Sequence, residues 1–325
     1  MTEHSRGPAP SDDVLVSVSI TTFNHRPYIE DAVNGALSQR TPFSYEIIVG
    51  DDCSTDGTRE ILLEMNERLG GRLRLVLPER NLGDGGKPMF ARTLEVARGR
   101  YIAVLDGDDY WTDPAKLTKQ VEFLEAHPEC SMCFHDVLQV TDDGSRPPHR
   151  RNASTPAKFT GIEDVLKGCY VGACTPMFRR EVVCPLPDWY FKMEFGDWPL
   201  YLIAAELGPI GYIDEVMAVY RIHSGGMWNH LDSVRKYEQM LRFYQQIHEV
   251  TGGRYIEQCR PIEAKWHYKL ALALSEEDQR RAALREGLTA LRLCPVGGEI
   301  DRIRMLREFA RHCYRGVLGG RASRN

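Results

Sequence analysis

The sequence predicts an α/β protein, with a mainly parallel central sheet flanked by helices and a helical C-terminal extension. Three observations carry that expectation. From residue 14 to about 126, apolar β-rich runs alternate with amphipathic helical segments, the pattern that builds a parallel sheet covered by helices. The residues that follow those runs are polar and acidic, as expected where strand ends in an open α/β sheet carry ligand chemistry. Beyond about Ser233 the strand signals stop and helix follows helix. At 325 residues the chain is long enough for one large domain plus an appendage. We expect residues 1–13 to be disordered, 14–230 to form the α/β domain and 231–325 the helical extension.

The elements justify themselves in order. Val14–Ile20 is an apolar run typical of a buried parallel strand. Pro27 suits the first turn of a helix reaching about Gln39, with Ile29, Ala32, Val33, Ala36 and Leu37 on one face. Strands are expected at Tyr45–Val49, Leu73–Leu77 and Tyr101–Leu105, and helices at Thr58–Leu69 and Pro88–Ala97. Asp113-Pro114 supplies a cap and a first-turn proline for a helix to about Ala126. A strand-like stretch, Ser131–Val140, leads into Asp142–Ala157, whose Pro, Arg, Ser and Asp content predicts a mobile loop. Shorter elements follow: helices at Ile162–Lys167 and Trp198–Leu207, and strands near Cys174–Phe178, Ile210–Ile213 and Val216–Tyr220. In the tail, Gln279–Leu293 reads as half of a tetratricopeptide-type hairpin, and one unit establishes no repeat array.

Composition excludes several functions. A formal net charge of −5 gives no electrostatic case for nucleic acid as a partner. No apolar run is long enough to span a bilayer, and the polar start MTEHSRGPAPSDD lacks the character of a signal peptide. A cytoplasmic location is therefore expected, with peripheral docking at the inner face of the membrane left open. Nine cysteines in such a chain read as reduced, mostly buried thiols. Cys130 and Cys133 form a C-x-x-C with no second pair at zinc-site spacing, so they are expected to be strand residues.

The chemistry lies at the strand ends. The first strand ends in Thr21-Thr22-Phe23-Asn24, the second in Gly50-Asp51-Asp52-Cys53-Ser54 and the fourth in Asp106-Gly107-Asp108-Asp109. Carboxylates on neighbouring strand ends repel one another unless a cation or a donor-rich ligand offsets them. Asp56 and Asp113 read as caps or turn formers, but a cap needs one carboxylate and the 106–109 cluster offers three. A hard divalent cation, Mn²⁺ or Mg²⁺, takes few protein carboxylates and leaves room for phosphates, and it would clamp a departing diphosphate. Asp52 is placed to accept from the N3–H of uracil or thymine, while Phe23 offers a face on which the base can stack.

The ordered set VSVSITTFNHRPYIEDAVNGALSQ, EIIVGDDCSTDGT, RNLG, GRYIAVLDGDDYWTDPAKLTKQVEFLE and GDWPLYLIAAELGPIGYIDEVMAVYRIHSGG resembles the family 2 glycosyltransferases over residues 14–228. The resemblance implies a GT-A fold and inverting transfer from a UDP- or dTDP-sugar to a hydroxyl acceptor. It implies that Thr21, Phe23 and Asp52 hold the nucleoside, with Phe23 where Tyr is frequent. Asn81 and Gly83 match a loop near base and ribose. Asp106 resembles the first aspartate of an Asp-x-Asp motif, facing the ribose, and Asp108 the metal-binding second; Asp109 stays unassigned. Asp197, in GDWP, matches the general base, although many relatives have Glu-Asp where this chain has Gly196-Asp197. Asp197 also reads as the N-cap of the helix at 198–207. His223, in YRIHSGG, matches a late histidine that closes over the metal or diphosphate. Trp198 and Trp228 are equally suited to stacking on an acceptor sugar and to core packing.

Rival readings are weaker. Gly83-Asp84-Gly85-Gly86-Lys87-Pro88 fails as a phosphate-binding P-loop, because Asn81 stands at the first glycine position and Pro88 where Ser or Thr should follow the lysine. A dinucleotide-binding enzyme fails too, since TTFNHR replaces the glycine-rich turn. A non-catalytic sugar-nucleotide or glycan-binding scaffold with a helical interaction tail is the alternative. The presence of Asp106, Asp108, Asp197 and His223 together argues against it. Homodimerisation through the C-terminal helices stays open, since their apolar stripes can equally pack on the α/β domain.

Overall fold

A computed structural model describes residues 14–152, 156–226 and 231–294, which fall into two compact units divided between His223 and Ser224. The first unit runs β1 (Val16–Thr22), α1 (Ile29–Leu37), β2 (Tyr45–Asp51), α2 (Thr58–Arg68), β3 (Leu73–Val76), α3 (Lys87–Val96), β4 (Tyr101–Asp106), β5 (Tyr110–Trp111) and α4 (Lys116–Ala126). It continues through β6 (Met132–Thr141), β7 (His149–Arg150), β8 (Phe159–Thr160), α5 (Ile162–Lys167), β9 (Met177–Arg179), α6 (Arg180–Val183), α7 (Trp198–Leu207) and β10 (Ile210–Ile222). The second unit contains α8 (Ser233–Val250), α9 (Ile256–Glu276) and α10 (Arg280–Leu293).

The sheet order is β3-β2-β1-β4-β9-β6-β10-β5, with β7 on β6 and β8 on β10. β1 lies parallel between β2 and β4, and β6 lies parallel to β10, so the sheet is mainly parallel as expected. β9 is the reversed strand that joins the two parallel parts. Val16, Val18 and Ile20 of β1 are fully buried against Ile29, Ala32 and Val33 of α1, and burial of this apolar face drives the layered packing.

Register fixes where chemistry can occur. Thr21 pairs with Gly50 on one side and Asp106 on the other, and Thr22 pairs with Asp51. The amides beyond the strands continue the alignment, with Asp52 N donating to Thr22 O (2.9 Å) and Gly107 N to Thr21 O (2.8 Å). Three polar strand ends therefore open at one edge of the sheet.

Some expectations are corrected. Within the described part of 142–157, His149–Arg150 forms β7 against β6, where Arg150 Nε donates to fully buried Asp136 (2.7 Å) and its guanidinium also pairs with Asp214. A buried carboxylate needs such a partner, and the pairing anchors β7. The two strands expected at 210–213 and 216–220 are one strand with register shifts at Ile213/Val216 and Val216/Ala218. Cys130 and Cys133 are buried, and burial pushes both thiols up, Cys130 to about 11. Among the described residues no helix is long and apolar enough to cross a membrane.

In the second unit α9 and α10 form an antiparallel hairpin through a turn at Asp278 (φ 58°). Small residues let the helices approach: Ala264 meets Ala290 and Cys294, while Leu270 and Leu274 meet Ala283. His267 Nδ1 lies 2.8 Å from Glu286 Oε2 across the hairpin, and His248 lies 3.2 Å from Glu263 between α8 and α9. This unit shows helices alone among its described residues; Trp228 lies outside them.

Candidate active site

The candidate site is built on the aligned ends of β1, β2 and β4, and β10 closes it. Gly107 is required at its centre, because a Cβ there would meet Thr22 Oγ1 at 2.6 Å and His25 Nδ1 at 3.1 Å. The backbone thus turns tightly enough to put Asp106, Asp108 and Asp109 within reach of each other.

The three carboxyls are held differently. Asp106 ends β4 beside the Thr21 hydroxyl, and burial, then the charges of Asp108 and Asp197, push it up to about 8. Burial pushes the Asp108 carboxyl up too, but a hydrogen bond from His223 and the nearby His25 and His223 imidazoles hold it below the ordinary range. His223 Nε2 lies 3.1 Å from Asp108 Oδ2, and His25 Nε2 lies 3.6 Å from the same oxygen. The Asp108 bond raises His223 above its usual value, whereas burial lowers His25. Asp109 is 1% exposed; its Oδ1 accepts from Arg221 N (2.8 Å), and burial with the charges of Asp108 and Asp106 raises it well above the carboxylate range. Asp109 therefore fastens β10 to the loop rather than facing solvent.

Three residues that spacing did not single out complete this wall. His25 is the second imidazole on Asp108. Arg221 Nη1 donates to Asp108 O (2.9 Å), Nη2 to Asp31 Oδ2 (2.5 Å), and the guanidinium stacks 4.3 Å from the Tyr110 ring centroid. Tyr28 packs its ring 4.8 Å from His223 and donates its hydroxyl to Asp142 (2.5 Å). Their signal was weak, because a lone Arg or Tyr gains meaning only from what it meets across the fold. His25 was within reach of inspection, two residues after Phe23 in TTFNHRPY.

On the β2 side, Asp52 is 4% exposed and its carboxylate is engaged: Oδ1 accepts from Leu82 N (2.7 Å) and Oδ2 from Gly83 N (3.3 Å). Asn81 Nδ2 donates to Asp52 O (2.8 Å), so Asn81, Gly83 and Asp52 form one fastened corner. Phe23 stands 44% exposed at the end of β1, a large apolar face open to a ligand. Asp51 belongs to the scaffold, fully buried and bonded by Arg59 Nε (2.7 Å). Asp56 and Asp113 serve as turn formers, bonding Thr58 N (3.0 Å) and Ala115 N (2.8 Å).

Asp197 precedes α7, and its Oδ1 accepts from Trp198 N (2.8 Å), which is the capping contact. Its Oδ2 lies 3.9 Å from Cys169 Sγ, a thiol that burial pushes up to about 12 and so keeps as a donor. Arg151 Nη2 donates to Cys169 O (3.0 Å), and its guanidinium charge is felt by Cys169 in turn. Capping leaves Oδ2 of Asp197 engaged by no donor stronger than this thiol among the described residues. Trp198 is 6% exposed, with its indole donating to Val165 O (2.9 Å), so it packs in the core.

Among the described residues no set of three or more His, Cys, Asp or Glu side chains is placed to hold a metal ion unaided. Asp108 and His223 do converge as a hard oxygen and an imidazole nitrogen. That pair fits a cation which draws its remaining ligands from substrate phosphates, as Mg²⁺ and related ions do.

Comparison with known proteins places the chain in a family. The sequence profile described as glycosyl transferase family 2 matches residues 17–184, about half of the chain. An uncharacterised protein of Mycobacterium tuberculosis is 37% identical over 221 residues, which cover 66% of this chain and 60% of the relative. The chain thus spans 60% of the length of that relative. TuaG of Bacillus subtilis, described provisionally as a teichuronic acid biosynthesis glycosyltransferase, is 36% identical over 210 residues, 64% of this chain and 79% of TuaG. The structure of S. aureus TarS in complex with UDP-GlcNAc superposes with a TM-score of 0.62 at 18% identity, covering 87% of this chain and 82% of that one. The shared sheet is that of the GT-A fold, and the chain belongs to glycosyl transferase family 2.

Proposed function

We propose that the chain is an inverting glycosyltransferase that moves a sugar from a UDP- or dTDP-sugar to a hydroxyl acceptor with the help of a divalent cation. The observation that carries this reading is the cluster of Asp106, Asp108 and Asp109 at one strand end. Two of its carboxyls are raised by burial and mutual repulsion while the third is paired with imidazoles. Like charges crowded in this way are relieved by a cation or by donors of a ligand.

In this reading Phe23 stacks on the base, and Asp52 accepts from its N3–H. Each Asp52 oxygen accepts one backbone N–H, and each keeps a second lone pair for the base. Asn81 and Gly83 border base and ribose, and Thr21 with Asp106 faces the ribose. Asp108 and His223 hold Mn²⁺ or Mg²⁺, which when bound supplies Lewis-acid stabilisation to the departing diphosphate. Asp197 takes the proton of the acceptor hydroxyl as its oxygen bonds to the anomeric carbon and the bond to the diphosphate breaks, a base contribution of roughly 10²–10⁴-fold. The UDP-GlcNAc bound by TarS supports a uridine donor, and the description of TuaG supports a cell-surface glycan as acceptor. A lipid-linked sugar or a natural product meets the same chemical requirement.

The test is a panel of nucleotide sugars incubated with purified protein, with released nucleoside diphosphate read with and without Mn²⁺ or Mg²⁺. Release from UDP- or dTDP-sugars that depends on the cation is expected. Nucleotide binding that ignores metal, with no release from any donor, would favour the scaffold reading instead.

A further inference from the structure

The stretch Gly83-Asp84-Gly85-Gly86-Lys87 has the wrong spacing for a P-loop, and beyond Gly83 it has no part in the chemistry above. Its geometry is nevertheless unusual. Four consecutive residues have positive φ: Gly83 at 70°, Asp84 at 49°, Gly85 at 60° and Gly86 at 80°. Three glycines make this left-handed path accessible, at a cost in chain entropy that an ordinary surface turn does not need. The path delivers Lys87 into the first turn of α3, where its side chain points inward.

Lys87 is 4% exposed, and all three of its ammonium hydrogens have acceptors. Nζ lies 2.5 Å from Met193 O, 3.3 Å from Phe191 O and 3.1 Å from Asp84 Oδ1. A Cβ on Gly196 would touch Lys87 Cγ at 3.5 Å, so the aliphatic stem lies against the residue before Asp197. Tyr190, 1% exposed, donates its hydroxyl to Gly196 O (2.9 Å) and ties the same segment to itself. The connection is continuous: the Asp52 carboxylate holds Leu82 N and Gly83 N, the left-handed turn follows, Lys87 grips the carbonyls of 191 and 193, and Asp197 comes next.

We propose that Lys87 is a positioning residue that couples the nucleotide-side corner at Asp52 to the segment bearing Asp197. Seating of the donor thereby sets where the base carboxylate stands. The inference rests on the roles given to Asp52 and Asp197 in the proposed function. A buried ammonium engaged on main-chain carbonyls of a facing segment does what an apolar residue cannot, because it fixes those carbonyls in distance and direction. Displacement of a reacting group by about 1 Å is enough to cost on the order of 10²-fold in rate.

The experiment compares wild type with Lys87→Met, Lys87→Arg and Tyr190→Phe. It measures the Kd for UDP with Mn²⁺ by calorimetry, and kcat for UDP release from the best donor of the panel, with water as acceptor. Lys87→Met is expected to lower kcat by about 30–100-fold while Kd stays within about threefold. Lys87→Arg is expected to restore part of the rate, and Tyr190→Phe to lower kcat by about 3–10-fold with unchanged Kd. Folded Lys87→Met with wild-type kcat would overturn the inference, and so would a Kd that rises in step with the loss of kcat. If Lys87→Met does not fold, Tyr190→Phe carries the test, and an unchanged kcat there overturns it equally. Failure of wild type to bind UDP or to release it from any donor would instead remove the underlying functional reading.

Discussion

The amino end of β2 and the carboxyl end of β4 treat carboxylates in opposite ways. At the amino ends, Glu46 of β2 is surrounded by donors: Ser17 Oγ at 2.7 Å, Arg98 N at 2.7 Å, and Arg98 Nε and Nη2 at 3.1 and 2.9 Å. At the carboxyl ends, Asp106, Asp108 and Asp109 share two imidazoles and the backbone N–H of Arg221, and two of the three are raised. Both ends belong to one parallel part of the sheet, with β1 between the two strands. One end is electrostatically complete and supports the fold; the other stays in deficit, which a ligand can make good. A site that stabilises a charged ligand gives up stability while empty.

That contrast can be broken by experiment, from the largest effect downward. Asp197→Asn should lower turnover by at least about 10²–10⁴-fold, the worth of a general base, while leaving UDP affinity within about threefold. Unchanged turnover would remove Asp197 from the chemistry. Glu46→Ala should cost about 1–3 kcal/mol of stability in denaturant titration, since it leaves Ser17 Oγ and Arg98 N without their carboxylate acceptor, and kcat should not move. A loss of activity without loss of stability would show that the two ends are not separable.

Asp106→Asn should do the reverse of Glu46→Ala and stabilise the ligand-free protein. The sign follows from its pKa, raised from 3.8 to about 8 in the fold. Between those values the native state binds more protons than the unfolded chain, so stability falls as pH rises from about 4 to about 8. The substitution removes that decline, and its gain in Tm, roughly 2–4 °C per kcal/mol relieved, should grow across the same window. A Tm gain that is flat with pH would mean that the Asp106 carboxyl is not raised in the fold.

A smaller effect comes from Lys116, fully buried over the Trp111 ring (3.6 Å) and brought down to about 7 by burial. The indole face attracts an ammonium, yet less than the water it replaces. Here the native state binds fewer protons than the unfolded chain between about 7 and 10.5, so stability rises with pH in that range. Lys116→Met should flatten that rise and add about 1–3 kcal/mol at pH 7. Destabilisation by Lys116→Met at pH 7 would show that the ring contact outweighs burial.

Much of this was legible in the sequence. α5 and α7 have the bounds that periodicity gives, Ile162–Lys167 and Trp198–Leu207, because cap, stripe and terminator agree locally. The meeting of Thr21, Asp52 and Asp106 was legible too, since parallel strands of known ends leave little freedom of register. Asp197 and His223 were reached only through family resemblance, for no local pattern says which late aspartate or histidine returns to the site. Arg221 was not reached at all, and Lys87 only as the lysine of a rejected P-loop. Arg221 meets Asp31 across 190 residues and Lys87 meets Met193 across 106, and no spacing rule spans such distances. The strand at His149–Arg150 was missed for a related reason: Arg150 finds Asp136 and Asp214 only after β6 and β10 have paired.

The contact between Asp108 and His223 also has a timing. The two residues are 115 apart, and the second arrives directly after β10, the last strand in the chain. At roughly 5–20 residues per second of synthesis, about 6–23 s separate the emergence of the aspartate from that of its histidine. Throughout that interval the nascent chain carries the acidic cluster without His223 and without Arg221. Such non-local pairing is slow to form and raises the contact order of the fold. A ribosome-bound chain that stops short of residue 221 is therefore expected to leave Asp109 without its backbone partner, and so to lack the closing wall of the site. The final strand of the domain thus completes the closing wall of the candidate site.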